Sequence, residues 1–374
     1  MKRVLLTTGG TGGHIFPALA VAEELRRQFD NIDILFMGSS TGPEKALAEK
    51  AGLYFEGLPV SGFLGKGAKA VASMARLVLA LPKAYRIIKA FAPECAAGFG
   101  GYASFAPLCV ARALRVPSIL HEQNAIAGVS NRLVSKFCDR ICTSLPETSG
   151  FDERQVVQTG NPVRRSIIGL GMGQRTFAGR NVLVVGGSQG AHALNMYMVE
   201  ILPRLKEHGI EVWHQTGVQD EEMVRRAYAE QGMGHCRVSA FIDNMAQAYA
   251  WADLALCRAG ASTVSELCAA GLPSVLVPYP YAIHDHQTFN AQTLVKAGAA
   301  KLFAQKDLTG DVLFGALYTL LSAPQTLDSM SKSALCLASP DAAANVVRQM
   351  QEAWTDRREQ KKARGCRLLK KSGS

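Results

Sequence analysis

The feature that most constrains this chain is a pattern that occurs twice. Val4-Leu-Leu-Thr-Thr-Gly-Gly-Thr-Gly-Gly-His14 and Val182-Leu-Val-Val-Gly-Gly-Ser-Gln-Gly-Ala-His192 each read as a short apolar and β-branched run, a glycine-rich turn and the start of a helix. Short apolar runs closed by glycine fit strands buried on both faces, as in parallel sheets. Similar runs alternate with amphipathic stretches at 32–37, 94–98, 118–121, 210–215, 254–257 and 274–277. Strand, helix, strand in series predicts an α/β protein with parallel sheets wrapped by helices. Recurrence of the opening pattern nearly half a chain later predicts two Rossmann-like, doubly wound domains. The length of 374 residues and an apolar content of 48% suffice for a core in each.

The expected boundaries are 1–163 for the first domain and 164–340 for the second, with a hinge near Gly160-Asn-Pro-Val163, where Pro162 interrupts regular structure. A helix over 341–358, apolar at Ala342, Val346, Met350 and Ala353, is expected to return to the first domain, and 359–374 is expected to be a disordered basic tail. In open α/β sheets ligands sit beyond the carboxyl ends of the strands, so both glycine-rich turns are expected to look into one interdomain cleft.

The first turn, Gly9 to Gly13, lacks the Lys and Ser/Thr of a P-loop and departs from the dinucleotide pattern. Glycine there lets backbone N–H groups approach a phosphate at a helix N-terminus, and equally permits tight packing alone. His14 follows, with Pro17 placed for a first helical turn. Its readings are a helix-start residue bonded to the backbone, or a general base or hydrogen-bond donor at a reacting group. Gly98-Phe-Gly-Gly-Tyr102 and His121-Glu-Gln-Asn124 leave two further strands. In the second half, Cys257 to Glu266 passes from strand to helix. Glu266 suits a ribose diol, or merely stabilises the N-terminal part of that helix. His284, Asp285 and His286 have no further clustered ligands in the sequence, and no D-x-D pair occurs anywhere, so no metal and no cofactor are expected.

The net charge of +10 is concentrated: 355–374 carries eight basic residues against Asp356 and Glu359, or +6 of the total. With no nucleic-acid-binding motif, an anionic membrane surface is the expected polyanionic partner rather than nucleic acid. Val71, Met74, Val78, Leu81, Tyr85 and Ile88 form a heptad-spaced stripe that reads as core-facing, with a kink expected at Pro82. Leu77, Leu79 and Ile87 lie off it and, with Lys69, Arg76 and Lys83, are expected to rest on lipid. No apolar run reaches the roughly 20 residues of a membrane-spanning helix, and the opening residues do not form a signal peptide. Nine cysteines, an odd number without C-x-x-C spacing, read as reduced thiols.

Taken together, Gly9 to His14, Gly100-Gly-Tyr102, His121 to Asn124, Gly160-Asn-Pro-Val-Arg164, Gly186-Gly-Ser-Gln-Gly-Ala191, Phe241-Ile242, Ser262 to Glu266 and Asp285-His-Gln287 resemble the GT-B glycosyltransferases with two Rossmann-like domains. Within these the likeness is to the inverting transferases that pass N-acetylglucosamine from UDP-N-acetylglucosamine to the muramyl 4-hydroxyl of lipid I, giving lipid II for peptidoglycan. The resemblance implies a peripheral enzyme on the cytoplasmic face of a bacterial membrane. It also implies donor contacts from Thr11, Gly12, Gly13, Asn124 and Arg164, a diphosphate contact from Ser188, and backbone groups of Ile242 on uracil. Ala261, Ser262, Thr263, Val264 and Ser265 would line the donor site, Glu266 would hold the ribose, Gln287 would contact the sugar hydroxyls, and His14 is the catalytic candidate. Ala103-Ser-Phe-Ala-Pro107 departs from the family's usual Val-Ser-Gly-Pro and leaves the local acceptor contacts open. The rival readings are a UDP-N-acetylglucosamine epimerase of the related fold and a non-enzymatic nucleotide-binding regulator.

Overall fold

The structure is a computed structural model that describes residues 1–60, 68–145, 148–173, 175–187, 190–282 and 285–371, with backbone only for 68–75, 362 and 364–371. The chain divides into two compact units, Met1–Arg164 with Asp341–Ser374, and Arg165–Pro340.

Unit 1 is built on a seven-stranded, wholly parallel sheet of β1 (Arg3–Thr7), β2 (Asp33–Ser39), β3 (Tyr54–Leu58), β4 (Cys95–Gly98), β5 (Ser118–Glu122), β6 (Arg140–Thr143) and β7 (Val156–Gln158). Their order is β3-β2-β1-β4-β5-β6-β7. Successive residues of β1 feed opposite faces. Val4 and Leu6 pack with α1 (Gly12–Gln28) and the last helix, α14 (Ala342–Lys371). Leu5 packs with α3 (Ala68–Phe91) and α4 (Phe105–Ala113). Burial on both faces is why the strand reads as an unbroken apolar run.

Val346, Val347, Met350 and Ala353 of α14 are buried in the unit 1 core. Arg140 at the head of β6 bonds Gln349, Glu352 and Asp356 of α14, and Arg357 bonds Asp139. The helix does not end near 358 but runs through the basic segment to Lys371. Arg, Lys, Gln, Ala and Leu are good helix formers, so a helix already fixed by packing propagates through them.

The stripe expected to bury α3 is also corrected. Leu77, Ala80, Ala84 and Ile88 face inward, while Val78 and Tyr85 are exposed, at 57% and 41%. The buried set follows the true helical period, and its alanines let the helix lie close to the sheet. Leu79 is 71% exposed, Ile87 is half-buried, and Val71, Met74 and Lys69 have side chains outside the described residues.

Unit 2 holds a six-stranded parallel sheet, β10-β9-β8-β11-β12-β13, made of β8 (Asn181–Val185), β9 (Glu211–Gln215), β10 (Arg237–Ser239), β11 (Leu254–Cys257), β12 (Ser274–Leu276) and β13 (Ala300–Leu302). Counted within each unit, both sheets contain the order 3-2-1-4-5-6, which reverses direction between the first and fourth strands. That reversal opens a crevice at the carboxyl ends of β1 and β4, and another at those of β8 and β11.

Candidate active site

In unit 1 the crevice is formed by the turn after β1 and the turn after β4. Phe99 N–H donates to Thr7 O at 2.9 Å and Gly9 N–H to Gly100 O at 3.2 Å. A Cβ on Gly9 would lie 2.5 Å from Ala103 Cβ, and one on Gly101 (φ +77°) would lie 1.9 Å from Gly9 O. These two glycines serve the passage of one turn over the other. Thr11 precedes α1 and is exposed, with Gly12 and Gly13 in its first turn, where a helix presents its positive end. Pro17 lies one turn deeper than expected, because the glycines are already helical.

His14 is held by a short hydrogen-bonded relay. Its Nδ1 lies 3.0 Å from Gln123 Oε1. Gln123 Nε2 is 2.9 Å from Phe99 O and 3.2 Å from His121 Nδ1, and His121 Nε2 is 3.0 Å from Gly160 O. Burial pushes His121 down to about 4, so near neutral pH it carries one ring proton. A carbonyl can only accept, so that proton sits on Nε2 and Nδ1 accepts from the Gln123 amide. Both amide protons of Gln123 are then used, Oε1 must accept, and neutral His14 is the Nδ1–H tautomer with its lone pair on Nε2.

Asn124 donates from both its backbone N–H and its Nδ2 to Glu122 Oε1, at 3.0 and 3.1 Å. Glu122 Oε2 accepts from Gly128 and Asn131, so this carboxylate braces the loop. Arg164 stacks on Phe16 of α1, 4.4 Å from the ring centroid. Glu44, at the start of α2 (Glu44–Lys50), is fully buried: Oε1 accepts from Gly10 N–H at 2.9 Å and Oε2 has no hydrogen-bond partner among the described residues. It follows a polar loop with no motif to announce it. Gln123 was legible as part of the His121–Asn124 block but not as the partner of His14.

In unit 2 the corresponding turn spans Gly186 to Ala191 before α7 (His192–Glu207). Ser188 lies outside the described residues. Gln215, at the end of β9, donates to Gly187 O at 2.9 Å and accepts from Ile242 N–H at 3.3 Å. Of the two Ile242 backbone groups, the N–H is therefore engaged within the unit. The other wall is α10 (Ala261–Ala270). Its first intrahelical bond is Val264 N–H to Gly260 O at 2.9 Å, so the preceding N–H groups point out of the helix end, where anions bind. Ala261, Ser262, Thr263, Val264 and Ser265 are partly exposed, and Glu266 is buried and accepts from Tyr249 OH at 2.9 Å. Gln287, on α11 (His286–Lys296), accepts from Tyr279 N–H at 2.9 Å through Oε1. Arg258, buried, clamps the carbonyls of Val277 and Pro278 and Gln305 Oε1. Gln215, Tyr249 and Arg258 are contributions that the sequence reading missed.

Two parallel-sheet units with switch-point crevices, one holding an oriented histidine and the other a helix N-terminus beside a buried carboxylate, define a GT-B-type architecture of two Rossmann-like domains. The glycosyltransferase family 28 N-terminal domain matches residues 4–143, and the family's C-terminal domain matches 181–346. The chain belongs to glycosyltransferase family 28. It is 52% identical over 351 residues, 93% of this chain and 96% of the relative, to the UDP-N-acetylglucosamine–N-acetylmuramyl-(pentapeptide) pyrophosphoryl-undecaprenol N-acetylglucosamine transferase of Nitratidesulfovibrio vulgaris strain DP4. Among solved structures, MurG of Acinetobacter baumannii is similar at 35% identity and a TM-score of 0.71, covering 94% of this chain and 100% of that one. A Listeria monocytogenes structure described as a UDP-N-acetylglucosamine 2-epimerase has a TM-score of 0.69 over 95% of this chain and 98% of its own, but 13% identity, and shares the fold alone.

Proposed function

We propose that this glycosyltransferase moves N-acetylglucosamine from UDP-N-acetylglucosamine to the 4-hydroxyl of the muramyl sugar of lipid I, with inversion, and that His14 is its base. The observation that carries the base assignment is the relay fixing the His14 proton on Nδ1. The acceptor oxygen attacks the anomeric carbon, its proton passes to His14 Nε2, and the C1–O bond to UDP breaks with its electron pair on the diphosphate. The negative charge that grows there is met by turn amides, by the N-terminus of α10 and by Arg164. Glu266, oriented by Tyr249, accepts from the ribose.

The acceptor is a membrane lipid, and unit 1 offers a surface for it. Among the described residues no helix is long and apolar enough to cross a membrane. Val78, Leu79 and Tyr85 of α3 are exposed, as are Val129, Leu133 and Phe137 on and just after α5 (Val129–Ser135), and Arg86 and Lys89 stand beside the first group. A groove of about 540 Å³ between α3 and α4 is lined by Leu81, Pro82, Tyr85, Arg86, Cys109, Val110 and Ala113. Apolar side chains ringed by basic ones suit the anionic cytoplasmic face of a bacterial membrane. Arg357 is committed to Asp139, so the basic end of α14 contributes only beyond it.

The test is a transfer assay with labelled UDP-N-acetylglucosamine and a short-chain lipid I analogue. Labelled lipid II is expected. Epimerised donor without an acceptor would favour the epimerase, and tight UDP binding with no transfer would favour a regulator.

A further inference from the structure

At the amino end of β9 the sheet of unit 2 brings together three potential metal ligands that lie apart in the sequence. Strands β9 and β10 pair from Trp213 and Arg237 onward, and the turn leading into β10 brings His235 beside Glu211. A turn closed by Cys236 N–H to Met233 O, at 2.9 Å, turns the next side chain to the same side. His235 Nε2 lies 3.2 Å from Glu211 Oε1, Cys236 Sγ lies 3.8 Å from Glu211 Oε2, and Sγ and Nε2 are 3.9 Å apart. Among the described residues this is the group of His, Cys, Asp or Glu side chains whose ligand atoms converge within metal-binding range.

Tetrahedral zinc, with bonds of about 2.0 Å to nitrogen and oxygen and about 2.3 Å to sulfur, places its ligand atoms about 3.3–3.6 Å apart. The two Glu211 distances run to different oxygens, and one ligand atom from each residue lies within 4.8 Å of the others, so closing on a single ion takes side-chain shifts of up to about an ångström. The frame is also anchored. Met233 is buried, its N–H bonds Tyr228 O at 2.8 Å, and Cys236 packs on the core of the unit.

We propose that Glu211, His235 and Cys236 bind one divalent, borderline-soft cation of the zinc class, with the fourth position left to water. The mixed O, N and S set disfavours calcium and magnesium, which take oxygen ligands. Ligation through sulfur displaces the thiol proton of Cys236. As the sulfur–metal bond forms, that proton leaves to solvent and the thiolate balances one charge of the ion. The site lies at the opposite end of β9 from Gln215, roughly 13 Å away at about 3.3 Å per residue. It therefore acts on the sheet edge formed by β10 rather than on sugar transfer.

The test uses the full-length chain, freed of metal and carrying Cys336→Ser and Cys366→Ser to remove two other thiols able to bind cobalt. Titration with cobalt(II) is expected to give a thiolate-to-cobalt charge-transfer band that saturates at one equivalent and is bleached by zinc. Cys236→Ser should abolish the band. His235→Ala, at an exposed position that does not threaten folding, should weaken cobalt affinity beyond the roughly ten-fold that follows loss of an outer-shell partner. Absence of the band, or its survival in Cys236→Ser, would overturn the assignment. Transfer activity is expected to be unchanged in all these variants, so failure here is separate from failure of the proposed reaction.

Discussion

The two glycine-rich turns start alike and are finished differently. Each follows the first strand of its sheet and leads to a histidine at a helix start, His14 in unit 1 and His192 in unit 2. Each histidine reaches a side chain that belongs to a polar network ending at a buried histidine. In unit 1, His14 meets the neutral amide of Gln123, which bonds His121. In unit 2, His192 Nδ1 lies 3.0 Å from both oxygens of Asp220; Asn195 donates to Asp220 at 2.7 Å and its Oδ1 lies 3.0 Å from His214 Nε2. An amide orients an imidazole without supplying charge, whereas a carboxylate supplies one. The first arrangement suits a base that must take up a proton during each turnover, and the second suits a histidine held in place at the surface.

The largest effect is expected from removing the two histidines in turn. His14→Ala is expected to lower kcat by about 10²–10⁴-fold, the range of general-base assistance, with UDP affinity by calorimetry little changed. His192→Ala should change kcat by no more than about two-fold, the scale of an exposed substitution. Equal losses would end the distinction, and a matching loss of UDP binding in His14→Ala would make His14 a donor ligand. Next in size is Glu266→Gln, which removes the charged acceptor proposed for the ribose. The KM for donor should rise roughly 10- to 100-fold, the worth of a hydrogen bond to a charged group, with kcat less affected.

A sharper test gives unit 1 the chemistry of unit 2. Gln123→Glu places a carboxylate beside His14 and favours its protonated form. The acidic limb of the kcat/KM profile should move to higher pH, with a loss of about ten-fold on that limb for each unit moved, while a thermal melt checks folding. An unmoved limb would separate Gln123 from the base. A separate test reads stability. Burial lowers His121 to about 4 and His214 to about 3, from 6.5. The unfolded chain therefore binds more protons than the folded one below about pH 6.5, and stability falls as pH drops from there towards 4. Each histidine contributes a slope of up to about 1.4 kcal/mol per pH unit, read from urea midpoints across that window. A flat profile would mean that these networks tolerate charge.

The fold class and the places where chemistry collects are legible in the order of the residues. Strands buried on both faces must be continuous apolar runs, and glycine is required where one turn crosses another, so β1, β4, β8 and β11 and their turns were legible from local pattern. Strands β3, β6, β7, β10 and β13 were not found. Several have exposed or polar positions, as in Arg237–Ser239 and Ala300–Leu302, and such runs resemble loops until a neighbouring strand supplies their hydrogen bonds. The inward face of α3 was misread because a hydrophobic count gives alanine little weight, while close packing on a sheet favours it. Only the tertiary structure decided which partner each histidine has. Gln123 lies 109 residues from His14, and no local period links them. Glycine and apolar patterns answer to the backbone and are written locally; the proton on a ring nitrogen answers to whichever side chain the folded chain brings within hydrogen-bond reach.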